Sequence, residues 1–259
     1  MIRTSSAPII VAAVSCLLLV ATASNVASAT EIKVLSPTRL KPAMVEVIQQ
    51  FEKSSGYKVA ADYATLGDLA GRIQKGEAAD VAISLRQQIA KLEKEGGIVE
   101  GSPVDIAKQG VGVFVRKGAL KPDISSVENF KRTLLAAKSI AHADPARAEG
   151  RTASYVAGML SRLDIAADIK RKITIFPPGV YDTIANGDVE LGFAGMSEIV
   201  ADPRVELVGP LPAAIQNYTV VTAGIVANSK ERDAAKAFIQ FMSSPAATAV
   251  LKANGYERP

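Results

Sequence analysis

Four arginines carry the most suggestive chemistry in this 259-residue sequence: Arg39, Arg86, Arg147 and Arg151. Each stands just past a segment that reads as a β-strand. A planar guanidinium meets the oxygens of a carboxylate or phosphate two at a time. The same side chains also suit a plainer role, as solvated loop residues or partners of acidic neighbours such as Asp144 and Glu149. Thr38 and Thr65 are the best-placed hydroxyl donors, and each equally suits a helix N-cap. His142 ends a strand two residues before Asp144 and reads as a packed or capping histidine. Tyr155 and Tyr181 sit just inside helices, where a ring covers a ligand or packs with its hydroxyl at the surface. Asp144 and Glu149 have no partner at a spacing that defines a general acid/base pair.

Composition narrows the chemistry further. One His excludes two-histidine metal sites, and one Cys excludes an internal disulfide or an all-cysteine zinc site. No G-x-S-x-G nucleophile elbow occurs. A formal net charge of +4 is too dilute to indicate nucleic acid, and no Lys/Arg cluster is interleaved with aromatics. With 48% hydrophobic and 22% charged residues, the chain has the composition of a folded globular protein.

The first 29 residues read as a secretory signal peptide. Arg3 supplies a positive start, an apolar run extends from Ala7 to Ala23, and Ala27-Ser28-Ala29 forms an A-x-A cleavage site. The run is shorter than the ~20 residues needed to span a bilayer. Cleavage after Ala29 leaves 230 residues, a net charge of +3 and no Cys, because Cys16 leaves with the leader.

Strand and helix alternate along the remainder. Glu31–Ser36 reads as a strand, and Lys41–Lys53 as a helix with Met44, Val47, Ile48 and Phe51 on one face. Tyr57–Tyr63 is a strand, Leu66–Lys75 a helix, Asp80–Ser84 a strand and Gln87–Lys94 a helix. This βαβαβα order implies a parallel sheet covered by helices. Val111–Arg116 opens a second alternating unit: helix Ser126–Lys138, strand Ser139–His142, helices Thr152–Leu163, Ile165–Lys170 and Val180–Asn186, and strands Glu190–Ala194 and Val205–Val208. The apolar strand Tyr218–Ala227 follows, then helix Glu231–Met242 and a last helix opened by Ser244-Pro245. The long strands 111–116 and 218–227 bracket the middle unit. The expected architecture is therefore α/β, with two Rossmann-like lobes of mixed, mostly parallel sheets joined by a two-strand hinge. One lobe comprises 30–112 plus 223–259 and the other 113–222, and they close on a ligand between them.

Several stretches resemble the type II periplasmic binding proteins of ABC importers, and within them the molybdate-binding group. Tyr63-Ala64-Thr65-Leu66-Gly67-Asp68-Leu69, followed by Arg72 to Ser84 ending Ala79-Asp80-Val81-Ala82-Ile83-Ser84, resembles that group's loop, helix and strand. Asp144-Pro145 resembles its turn after a strand. Ala234–Met242, Ser244-Pro245 and Gly255-Tyr256 resemble its C-terminal end. The resemblance implies ligand-binding loops at Ser36-Pro37-Thr38-Arg39, Thr65-Leu66-Gly67, Arg151-Thr152-Ala153-Ser154, Pro178-Gly179-Val180 and Gly195-Met196-Ser197. Helix N-termini at such loops suit anions. The ligand-contacting candidates are Ser36, Thr38, Arg39, Thr65, Gly67, Arg86, Arg151, Thr152, Gly179, Val180 and Ser197. Where that group holds its ligand with serine runs, this chain places Arg39 and Leu66-Gly67. Gly195 or Met196 replaces a tyrosine, and Arg147 and Arg151 occupy a longer loop.

The resulting expectation is a periplasmic solute receptor of an ABC importer. It would bind a small anion, either an oxyanion such as molybdate or an organic carboxylate or phosphonate. It would act as a monomer without catalytic residues, metal or cofactor, with an inner-membrane permease as its partner and no nucleic acid. A ligand-sensing module for a membrane receptor is the alternative, and a secreted enzyme a further one.

Overall fold

The computed structural model describes residues 29–146, 152–176 and 180–259. The leader through residue 28, Arg147, Glu149, Arg151, Pro178 and Gly179 lie outside the described residues. Among the described residues nine strands form a continuous sheet system in the order β2-β1-β3-β9-β4-β7-β5-β6, with β8 also on β4. The strands are β1 Glu31–Pro37, β2 Lys58–Ala64, β3 Val81–Leu85, β4 Val104–Arg116, β5 Ile140–Ala143, β6 Ile173–Phe176, β7 Leu191–Gly195, β8 Val205–Pro210 and β9 Tyr218–Ile225. Pairing is parallel on both flanks, β2-β1-β3 on one and β7-β5-β6 on the other. It is antiparallel wherever β4 and β9 take part.

β4 makes the connection between the two flanks. Its residues 104–110 pair with β9, and 111–116 pair with β7 and β8. Register shifts at 105/107 and 113/114 interrupt this long strand on either side of Gln109, and such bulges bend a strand. β9 pairs along its length with β3 and with the first part of β4.

Helices cover both faces of each flank. On the first, α1 (Lys41–Ser55), α9 (Arg232–Met242) and α10 (Pro245–Ala253) bury Met44, Val47, Phe51, Phe238 and Leu251 against Ile32, Val34 and Ile83. The opposite face receives α2 (Leu66–Gln74) and α3 (Arg86–Lys94) through Leu69, Ile73, Ile89 and Leu92. On the second flank, α4 (Val127–Ala136) and α5 (Thr152–Arg162) cover one face with Phe130, Leu134, Val156 and Leu160. A short α6 (Ala166–Ile169) adds Ile169 to that face. α7 (Val180–Asn186) and α8 (Met196–Ala201) cover the other with Ile184 and Ile199 around Phe114. Burial on both faces explains the near-continuous apolar strands.

Local signals fix the helix ends that bear on the site. α1 carries Pro42 in its first turn and stops at Gly56, whose φ of 77° is the left-handed C-terminal conformation glycine favours. Thr65 caps α2, accepting from the Asp68 amide at 3.2 Å and donating to the Asp68 carboxylate at 2.7 Å. Ser126 and Ser244 cap α4 and α10 by accepting from the Asn129 and Ala247 amides. Two elements escape the sequence pattern. β6 is a four-residue edge strand with half-exposed side chains, and α8 has only six residues. No helix among the described residues is long and apolar enough to cross a membrane.

Candidate functional site

The carboxyl ends of β1 and β3, the bend of β4 and the start of α5 converge on one small cavity. It has a volume of about 40 Å³. Pro37, Arg39 and Leu40 line it from the turn after β1, Leu66 from the start of α2, and Ser84 and Leu85 from the end of β3. Gln109, Thr152, Thr219, Val221 and Tyr256 complete the wall. A crevice outside the carboxyl ends of the strands is where open α/β sheets bind ligands. A wider groove of about 620 Å³, bordered by Arg86, Gln87, Ser154, Tyr155 and Asn217, shares Leu85 and Thr219 with the cavity.

Among the described residues, Arg39 is the one formally charged side chain in the cavity wall. Its Nη1 meets Glu198 Oε1 at 2.6 Å, an ion pair that joins the turn after β1 to α8 after β7. Both side chains remain one-third exposed. The second oxygen of Glu198 accepts from the Tyr181 hydroxyl at 3.4 Å. Burial, reinforced by the Glu198 charge, holds the Tyr181 hydroxyl well above the usual phenol range. Burial likewise raises Tyr256. Both phenols are therefore neutral hydrogen-bond donors at neutral pH.

Three buried polar groups surround this pair. Ser36 is fully buried, and its Oγ has no hydrogen-bond partner. Ser197 Oγ is likewise without a formed hydrogen bond, with the Tyr256 hydroxyl beside it. Gln109, 8% exposed, lines the cavity with its amide against Gly195. A Cβ on Gly195 would collide with that amide. Across the same contact, Gly255 packs on Met196 and Ser197. A Cβ there would stand 2.7 Å from Met196 O, and its φ of 79° is the left-handed region. Buried polar groups normally find partners. The Ser36 hydroxyl is left without a partner, and Gln109 adds an amide to the cavity wall.

The residues singled out from the sequence fall into distinct environments. Arg39 and Thr152 line the cavity; Ser36 and Ser197 are buried, Ser36 just before the lining Pro37 and Ser197 just before Glu198. Thr38, Thr65 and Gly67 are exposed, and the Thr65 hydroxyl is engaged as a helix cap. Arg86 borders the wider groove and pairs with Asp105 through Nε at 3.0 Å and through Nη2. Asp105 also accepts from Thr222 Oγ1 at 2.6 Å. Val180 opens α7. Tyr155 donates to Ile215 O at 2.7 Å, so its hydroxyl is spent on packing. Tyr181 stacks on Phe114 with ring centroids 5.1 Å apart. His142 is buried, with Nδ1 2.9 Å from Ala143 O. Gln109, Ser84, Thr219, Tyr256 and Glu198 were not singled out as site residues. Two motifs touched them, Ala79 to Ser84 and Gly255-Tyr256, and both did so as part of the family pattern rather than as site residues.

The arrangement suits binding of an anion by one guanidinium and several neutral donors. Among the described residues no group of three or more His, Cys, Asp or Glu could hold a metal ion. The model of the bacterial extracellular solute-binding protein family matches residues 32–257. The chain belongs to that family. Within it, this solute-binding protein is 31% identical over 233 residues to an aconitate isomerase of a Pseudomonas species, covering 87% of each chain. It is 29% identical over 242 residues to the molybdate-binding protein ModA of Azotobacter vinelandii, covering 89% of this chain and 91% of that one. The fold is that of type II periplasmic binding proteins. The substrate-binding domain assigned to a molybdenum ABC transporter of Clostridium difficile superposes with a TM-score of 0.79 at 21% identity, covering 89% of this chain and all of that one. The chain is thus a molybdate-binding-like substrate-binding protein of the ABC-transporter type.

Proposed function

We propose that this solute-binding protein is the periplasmic receptor of an ABC importer. In this reading it takes a small organic carboxylate between two lobes that close about β4 and the approach to β9. The observation that carries the reading is the Arg39–Glu198 pair: the one cation of the cavity wall among the described residues is already engaged by a carboxylate, at 2.6 Å. A guanidinium recognises such a planar group by geometry as well as charge. The 31% identical relative is named for a tricarboxylate, which supports a carboxylate over molybdate. Ligand binding favours the closed form by its higher affinity for that form, and the closed face docks on an inner-membrane permease.

That same relative favours a second reading, in which the chain isomerises an unsaturated tricarboxylate. Both readings are tested on one sample. Thermal shift against molybdate, tungstate, sulfate, phosphate, phosphonates and mono-, di- and tricarboxylates identifies the ligand class. A ligand at 100 times its Kd adds about 2.7 kcal/mol. The receptor reading expects a shift with carboxylates and none with molybdate or tungstate. Proton NMR of cis- and trans-aconitate incubated with the protein then separates binding from turnover. An unchanged spectrum supports the receptor, and interconversion of the isomers establishes the enzyme. A shift with molybdate and tungstate alone overturns the carboxylate reading.

A further inference from the structure

We infer that Glu198 is a built-in competitor for the ligand: its carboxylate occupies Arg39 in the empty protein, and an incoming carboxylate takes its place. The inference rests on the carboxylate reading of the site and adds a residue that sets its affinity.

Arg39 gives Glu198 only one of its nitrogens, Nη1. It forms no other hydrogen bond among the described residues, so most of its five donors remain available. A bidentate carboxylate would use two in parallel and is the stronger arrangement. Glu198 also has a place to go. Its other oxygen already lies 3.4 Å from the Tyr181 hydroxyl, a buried phenol that stays protonated. A modest rotation away from Arg39 shortens that contact. The exchange leaves both carboxylates hydrogen-bonded: the ligand carboxylate on Arg39, and Glu198 on a neutral donor with one-third of its surface in water.

The bond also spans the fold. Arg39 and Glu198 are 159 residues apart, one beside β1 and the other beside β7. Ser36 lies three residues before Arg39 and Ser197 immediately before Glu198, and neither serine Oγ has a formed hydrogen bond. The pair is therefore flanked on both sides by buried hydroxyls, that of Ser197 next to the Tyr256 hydroxyl. That pattern fits a contact made to be exchanged. A ligand carboxylate that takes two Arg39 donors meets the Glu198 charge beside it, so Glu198 also discriminates against anions that cannot displace it.

The test uses the full chain in a Cys16→Ser background and trans-aconitate as the probe. Glu198→Gln keeps the shape and removes the competing charge. Calorimetric titration is expected to give about tenfold tighter binding, ~1.4 kcal/mol. Tyr181→Phe removes the place where Glu198 parks and is expected to weaken binding severalfold. In the Glu198→Gln background it should have no effect, a coupling that loss of packing alone would not produce. A second measurement needs no ligand. Dyes on Gln49→Cys and Ala136→Cys report the distance between α1 and α4, which Glu198→Gln should lengthen in the empty protein. Equal or weaker binding by Glu198→Gln overturns the exchange. If neither protein binds trans-aconitate, the carboxylate reading fails. The distance then decides the cross-fold latch alone: lengthening supports it and no change overturns it.

Discussion

Among the described residues two arginines are bound to glutamates, and they are bound differently. On the outer flank of the first sheet, Arg72 gives Nε and Nη2 to Glu77, each at 2.6 Å, and Nη2 also meets Asp62. Lys33 donates to the same Glu77 at 2.8 Å. All four residues belong to one flank of the fold, and the network ties the start of β1 to β2 and α2. At the cleft, Arg39 makes a single bond to a single carboxylate on the other flank. Multiple short bonds within one flank mark a structural arginine. A single bond between flanks, beside buried hydroxyls without formed hydrogen bonds, marks one that the fold has left available.

The largest expected effect separates these two arginines. Arg39→Gln should weaken carboxylate binding by about 2 kcal/mol, roughly thirtyfold, the worth of hydrogen bonds to a charged group. Arg72→Gln should lower the thermal midpoint while leaving affinity within about twofold. Titration calorimetry and a melting curve on both variants check this. Equal loss of affinity in both would erase the distinction.

The next effect tests the contact between the flanks. Gly255→Ala forces a side chain into the left-handed region and against Met196 O. It should cost about 1 to 3 kcal/mol in urea unfolding. Binding should weaken as well, because the Tyr256 side of the cavity can no longer seat on α8. Gly67→Ala is the control: nothing lies within 4 Å of a Cβ at that exposed position, and both stability and affinity should stay near wild type.

The smallest effect is in pH. Hydrogen bonds from Arg72, then from Lys33, hold the Glu77 carboxyl down from 4.5 to about 2. Arg72 likewise lowers Asp62. A depressed carboxylate contributes stability above its unfolded pKa and loses it as pH falls through the folded one. The wild-type midpoint should therefore fall between about pH 4.5 and 2, and the gap between wild type and Arg72→Gln should close over that range. A gap independent of pH would assign the Arg72 effect to packing of its stem.

The first flank was legible because its signals are local. Met44, Val47 and Phe51 are buried as their spacing requires, Gly56 stops α1, and β3 runs Val81–Leu85, within a residue of its expected bounds. β6 escaped because an edge strand with exposed side chains lacks the alternation that marks a half-buried one. The first part of β4 escaped because Asp105, Lys108 and Gln109 interrupt its apolar run, and with it went Gln109. Glu198 could not be read from the chain at all. Its partner is 159 residues away, and only the path of β4 and β7 brings them together. Sequence spacing identified residues able to recognise an anion, whereas the fold determined which of them already hold one.

The most direct measurement is a crystal structure of the protein soaked with the tightest-binding carboxylate from the panel. The account predicts a carboxylate group on the Arg39 guanidinium, within hydrogen-bond distance of Ser36, Gln109 or Ser197, with Glu198 turned to Tyr181. A ligand seated in the wider groove beside Arg86 and Tyr155, with the Arg39–Glu198 bond intact, would contradict it.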